Sequence, residues 1–224
     1  MHDRFDLLGP VHKGLRHALA GLCFRVGSLN VEDEDEADRF IEEFQNVVAI
    51  LDSHSHDEDA HVHHLYERFA PETAARLEAE HQTLDAALHD IRGLVEQARR
   101  PMAPGDRAKL WYGIRRKLTR FTADYLQHLE REEGEAAEAL WAHLDDAQLK
   151  EVSVNIRSSI PPATMMIFLH YMLPALSFAE RFDILYGMKR FAPPEAYEAV
   201  RKLAQERLRP QDWEAIRAKL DEAA

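Results

Sequence analysis

The chain carries thirteen histidines, and five of them lie between His54 and His64. Imidazole titrates near neutral pH and is the commonest protein ligand for transition metals, so the face each histidine occupies decides its use. At about 100° per residue of α-helix, residues three and four apart share a face. His12 stands four after Leu8 and three before Leu15, inside an apolar stripe. Leu51, His54, Glu58, His61 and Leu65 follow the same spacing, so polar groups replace apolar ones on a face that should be buried. Leu77, His81, Leu84 and Leu88 place one histidine in a third stripe, and Phe121, Tyr125, His128 and Glu132 place a histidine and a carboxylate in a fourth.

Four helical segments therefore each turn an imidazole toward a common interior, and two add a carboxylate one turn later. A buried carboxylate without a partner costs several kcal/mol, so buried charges are normally paired or metal-bound. One core histidine is ordinarily just hydrogen-bonded, but the same placement on four helices, at one level, points to coordination. Imidazole with carboxylate is a ligand set for iron, manganese or zinc. Two carboxylates able to bridge, with four histidines, suit two ions better than one. His61 faces inward one layer beyond His54 and Glu58, where it would support the site. His56 and His63 fall on the opposite side of the helix and are expected in solvent. His2, His17, His64, His89, His143 and His170 have no place in the stripes and are read as surface or packing residues.

The elements that must hold these residues are helices. Apolar residues recur at spacings of three and four from Phe5 to Val26, where Gly27-Ser28 ends the first segment and Asn30 is the expected cap of the next. The acidic run Glu32 to Glu36 suits the start of a second helix, where negative charge meets the positive end of the helix dipole. That helix is predicted from about Ala37 to Ala70, a third from Pro71-Glu72 to about Arg100, and a fourth from the Pro101–Gly105 turn to about Leu144. Four helices, short connections and no alternating strand pattern predict an all-α, up-down-up-down four-helix bundle over residues 1–144. Beyond Asp145, Pro161-Pro162, Pro174, Pro193-Pro194 and Pro210 cut residues 145–224 into an extension of short helices, with a capping box at Ser177-Phe-Ala-Glu180 and a helix start at Pro194-Glu195. Met165, Met166, Phe168, Met172 and Phe178 are expected to pack this extension onto the bundle.

Composition narrows the function. With 28 Lys+Arg against 40 Asp+Glu the formal charge is -12, which disfavours nucleic acid and anionic membranes as partners. The most apolar stretch, Thr164 to Ala179, is short and contains His170 and Pro174, so no membrane span is expected. One cysteine, Cys23, forms no internal disulfide, and the N-terminus has no apolar run of signal-peptide type, so a cytoplasmic location is expected.

The four-part pattern resembles the hemerythrin-like (HHE cation-binding) domains. It reads His12 in Val11-His-Lys-Gly-Leu-Arg16, His54-Ser-His-Asp-Glu58, His81 in Glu80-His-Gln82, and His128-Leu-Glu-Arg-Glu132-Glu133, over about residues 5 to 144. The resemblance implies two iron ions in a non-heme centre bridged by two carboxylates and an oxygen species. It also implies binding or sensing of oxygen, nitric oxide or iron, with His12, His54, Glu58, His81, His128 and Glu132 as the metal ligands. Asp85 stands where oxygen carriers have a second histidine on the third helix, which brings the pattern closer to sensor-like and iron-repair-like members. Oxygen carriers also place their last carboxylate five residues after the histidine. Here Glu132, about 40° from His128, is chosen over Glu133, about 140° away and expected to point out of the core. Glu58-Asp-Ala-His61 and Glu78-Ala-Glu-His81 match the spacing of ferritin-like carboxylate oxidases, though on consecutive helices, which fits that topology poorly. A helical interaction protein with a structural metal, an enzymatic activity and a homodimer all stay open.

Overall fold

The computed structural model describes residues 4–223, so His2 lies outside the described residues. Helices make up nearly all of it, and no strand occurs among the described residues. In chain order they are α1 (Gly9–Ser28), α2 (Glu34–His61), α3 (His63–Phe69), α4 (Pro71–Ala98), α5 (Pro104–Arg131), a π-helical turn (Glu132–Ala136), α6 (Ala137–His143) and α7 (Asp146–Ser159). There follow α8 (Pro162–Ala175), α9 (Phe178–Phe191), α10 (Pro194–Arg207) and α11 (Pro210–Glu222). Proline sits in the first turn of α1, α4, α5, α8, α10 and α11, where its missing N–H would have no intrahelical partner anyway. Capping boxes start α7 at Asp145 and α9 at Ser177. No helix of the described residues is long and apolar enough to cross a membrane.

Three local features depart from the periodicity. The cap of α2 is Asp33, whose side chain accepts from the Glu36 N–H; Asn30 lies in the turn before it and holds the Glu32 N–H instead. The second predicted helix is broken at Val62, whose backbone leaves helical geometry and whose side chain is fully buried with Tyr66, Leu77, Leu140 and Leu149. This break resets the helical phase, so His63, expected in solvent, is half-buried beside Glu67. The fourth predicted helix continues past Arg131 but widens into the π turn at Glu132.

Residues of α1, α2, α4 and α5 fill one apolar core, with Leu15, Leu19, Val47, Ile50, Ile114 and Leu118 wholly or almost wholly enclosed. Two faces of α8 serve different clusters. Phe168, Tyr171 and Met172 join the core of the long helices, while Leu169, Leu173, Met165 and Met166 pack with α9, α10 and α11 around Trp213 and Ile216. Phe178 takes no such place and is 40% exposed. Polar latches add direction to this packing. Buried Asp57 accepts from Ser53 and, across to α7, from Ser159, and Arg4 binds Asp146 and the carbonyls of Trp141 and Leu144.

Candidate metal centre

At one end of the apolar core the helices bring six polar side chains together. His12 from α1, His54 and Glu58 from α2, His128 from α5 and Glu132 at the start of the π turn are buried, and His81 from α4 is nearly so. Their donor atoms form two groups, His12–His54–Glu58–Glu132 and Glu58–His81–His128–Glu132, each with all donors within 4.8 Å of one another. Glu58 and Glu132 belong to both. His12 Nε2 stands 3.4 Å from Glu132 Oε2 and 3.9 Å from Glu58 Oε1, and His54 Nε2 is 3.5 Å from Glu58 Oε1. On the other side His128 Nε2 is 3.2 Å from Glu132 Oε1 and 3.0 Å from His81 Nε2, which lies 3.7 Å from Glu58 Oε2.

Several of these atoms have no hydrogen-bond partner: Nε2 of His12 and of His54, both oxygens of Glu58, and Oε2 of Glu132. Orphaned acceptors and donors facing one another inside a protein are costly, because neither water nor a partner replaces their lost hydration. Cations held between them would satisfy these atoms, so the donor set fits metal ions.

The electrostatics agree. Burial and the neighbouring charge of Glu132 push the Glu58 carboxyl up to about 8. Burial works the same way on Glu132, but hydrogen bonding to His128 and the charges of His128 and His12 outweigh it and hold the carboxyl well below its ordinary value. Burial opposes protonation of His12, yet Glu133, Glu58 and Glu132 outweigh it and raise the imidazole to about 9; His128 reaches about 9 by the same balance with Glu132, Glu58 and Glu80. His54 and His81 go down, through burial first and then the charge of the neighbouring imidazoles. Without a metal, protons on His12, His128 and Glu58 thus do the charge balancing that cations would do.

Residues outside the six complete the surroundings. Glu133 does not point away from the core: its Oε1 is 3.0 Å from His12 Nδ1, and Arg16 grips both its oxygens. The π turn, with more residues per turn than an α-helix, begins at Glu132, and here two successive glutamates approach opposite nitrogens of one ring. Glu80 stands 3.1 Å from His128 Nδ1 and is held by Arg131. The Tyr66 hydroxyl is buried and unpaired, and burial together with the charges of Glu132 and Glu58 raises its pKa well above the usual range. Helical periodicity does not mark Glu80, Glu133 or Tyr66; the sequence signal for the two pairs is Arg16 and Arg131, four and three residues after His12 and His128.

The remaining histidines are elsewhere. His61 ends α2, half-buried and outside both donor groups, and Asp85 is exposed. Glu58-Asp-Ala-His61 therefore does not build a Glu-x-x-His ligand pair. His56, His64, His89 and His143 are exposed, His17 lies 3.0 Å from the Tyr171 carbonyl, and His170 is half-buried against Tyr171.

No curated protein and no solved structure matches the chain. A family model does: that of the hemerythrin HHE cation-binding domain, over residues 4–140, which carry all six clustered residues. The match spans more than half of the sequence, and the chain belongs to the hemerythrin HHE cation-binding domain family.

Proposed function

We propose that this is a non-heme di-iron protein built on an up-down-up-down bundle of α1, α2, α4 and α5, and that it binds or senses a small diatomic ligand, oxygen or nitric oxide. The observation that carries the reading is the sharing of Glu58 and Glu132 between two four-donor groups. His12 and His54 would hold one ion, His81 and His128 the other, and the two carboxylates would bridge and neutralise both. Bound iron supplies reversible small-ligand coordination and one-electron chemistry that no side chain here provides.

The protein's part is selection and protection. Enclosure of the donors excludes bulk water and large ligands. A cavity of about 10 Å³ lined by Leu8, Tyr66, Glu132 and Glu133 lies beside the centre. That is room for about one water-sized molecule and too little for an organic substrate. Tyr66 lines the same cavity as Glu132, and its buried hydroxyl, without a partner of its own, lies within the influence of the Glu132 and Glu58 charges. The single cysteine, Cys23, accords with work in a reducing cytoplasm.

The test is a titration of the anaerobic, ferrous-loaded protein with nitric oxide. A new visible absorption that saturates at a fixed ratio to iron is expected. An unchanged spectrum at saturating nitric oxide would leave a structural cation site and end the diatomic-ligand reading.

A further inference from the structure

The two glutamate–arginine pairs around the centre follow one plan. On α1, Arg16 stands one turn after His12; on α5, Arg131 stands one turn after His128. In each case a glutamate from another part of the bundle lies between the histidine and the arginine. Glu133 Oε1 is 3.0 Å from His12 Nδ1 and accepts from Arg16 Nη1 at 2.6 Å, while Arg16 Nη2 reaches Oε2 at 2.9 Å. Glu80 Oε2 is 3.1 Å from His128 Nδ1 while its Oε1 accepts from Arg131 Nε at 2.9 Å. The first glutamate comes from the π turn and the second from α4, so the repetition does not reflect one repeated sequence segment.

We propose that Glu133 and Glu80 are positioning residues, one for each donor group, that fix His12 and His128 with Nδ1–H outward and Nε2 toward Glu58 and Glu132; the role rests on the two-ion reading above. An imidazole can flip and exchange its nitrogens with carbons, and either nitrogen can carry the proton. A carboxylate that accepts from Nδ1–H removes both freedoms and makes Nε2 the stronger donor to a cation. The arginines keep each carboxylate in place. Glu133 is not itself a ligand, since its oxygens are turned to Arg16 and the outer nitrogen of His12. Each donor group contains one histidine held this way, so the two metal positions are tuned separately, from partly exposed residues that leave the core packing alone.

Zinc, added to the full-length metal-free chain, is the probe, because it is spectroscopically silent and permits nitrogen NMR of the imidazole rings. Wild type, Glu133→Gln, Glu80→Gln, the double variant and a surface control, Asp124→Asn, are compared by calorimetry. Two zinc ions are expected in wild type and in the control. Each single variant should keep one ion at wild-type affinity and bind the other about 10- to 100-fold more weakly, and the double variant should weaken both. The NMR should show the Nδ1–H signal of His12 moved by Glu133→Gln alone and that of His128 by Glu80→Gln alone. Single variants that bind both ions like wild type, or weaken both positions equally, would overturn the positioning role while leaving the two-ion centre intact. Fewer than two zinc ions in wild type would overturn the two-ion reading, and this role with it.

Discussion

Glu58 and Glu132 differ from the four histidines in belonging to both donor groups, so their loss should be felt at both positions. Glu58→Gln and Glu132→Gln keep side-chain size and remove the charge. Metal analysis after iron loading should find little or no iron in either, whereas His54→Ala should lower one position and spare the other. The same residues make the metal-free protein sensitive to alkali. His12 and His128 titrate near 9 when folded and near 6.5 when unfolded, so their stabilising contribution is full below pH 6.5 and lost as pH rises to about 9. Glu58, raised from 4.5 to about 8, loses its own contribution between those values and so adds to the fall from pH 6.5 to about 8. The apo protein should therefore melt at a lower temperature at pH 9 than at pH 6.5. At pH 7 these three groups also hold protons that ligands must give up, so metal binding should release about three protons, read by calorimetry in buffers of different ionisation enthalpy. Release of none would mean that the centre is not protonated as argued. The six clustered residues were legible because each continues an apolar three-four stripe. Glu133 and Glu80 were not, because on a helical wheel each lies off the stripe and gains its meaning only from a histidine on another helix.

At the scale of elements, local chemistry marked most boundaries. The Ser177 capping box and the proline start of α10 are where short-range rules put them, since both depend on neighbours a few residues away. The break at Val62 and the π turn at Glu132 are answers to packing from other helices, which no window of the sequence contains. The close approach of α1 to α8 is of the same kind. A Cβ on Gly14 would meet Met172 Cγ at 2.6 Å and its Cα at 3.2 Å, two residues from His12. Overfilling such a contact typically costs about 1–3 kcal/mol. Gly14→Val should lower the melting temperature by several degrees, and a melt equal to wild type would show that α8 yields freely at this point.

Over the whole molecule, all-helical character could be read from spacing alone, and the short helices beyond Asp145 from their prolines. What the sequence did not disclose is that α8 belongs to two clusters, giving Phe168 and Tyr171 to the core of the long helices and Leu169 and Leu173 to the terminal helices. Both uses come from one segment that is apolar on every side, so its periodicity could not say where it packs. Against this scaffold the centre stands out by gathering several buried polar atoms without partners at one place beside the apolar core. Two cations would satisfy those atoms, and the number of iron atoms per chain decides between two ions and one. Protein purified without a histidine tag, loaded aerobically with iron and freed of excess, should contain two iron atoms per chain by elemental analysis. A reproducible content of one or fewer would contradict the shared-carboxylate, two-ion centre.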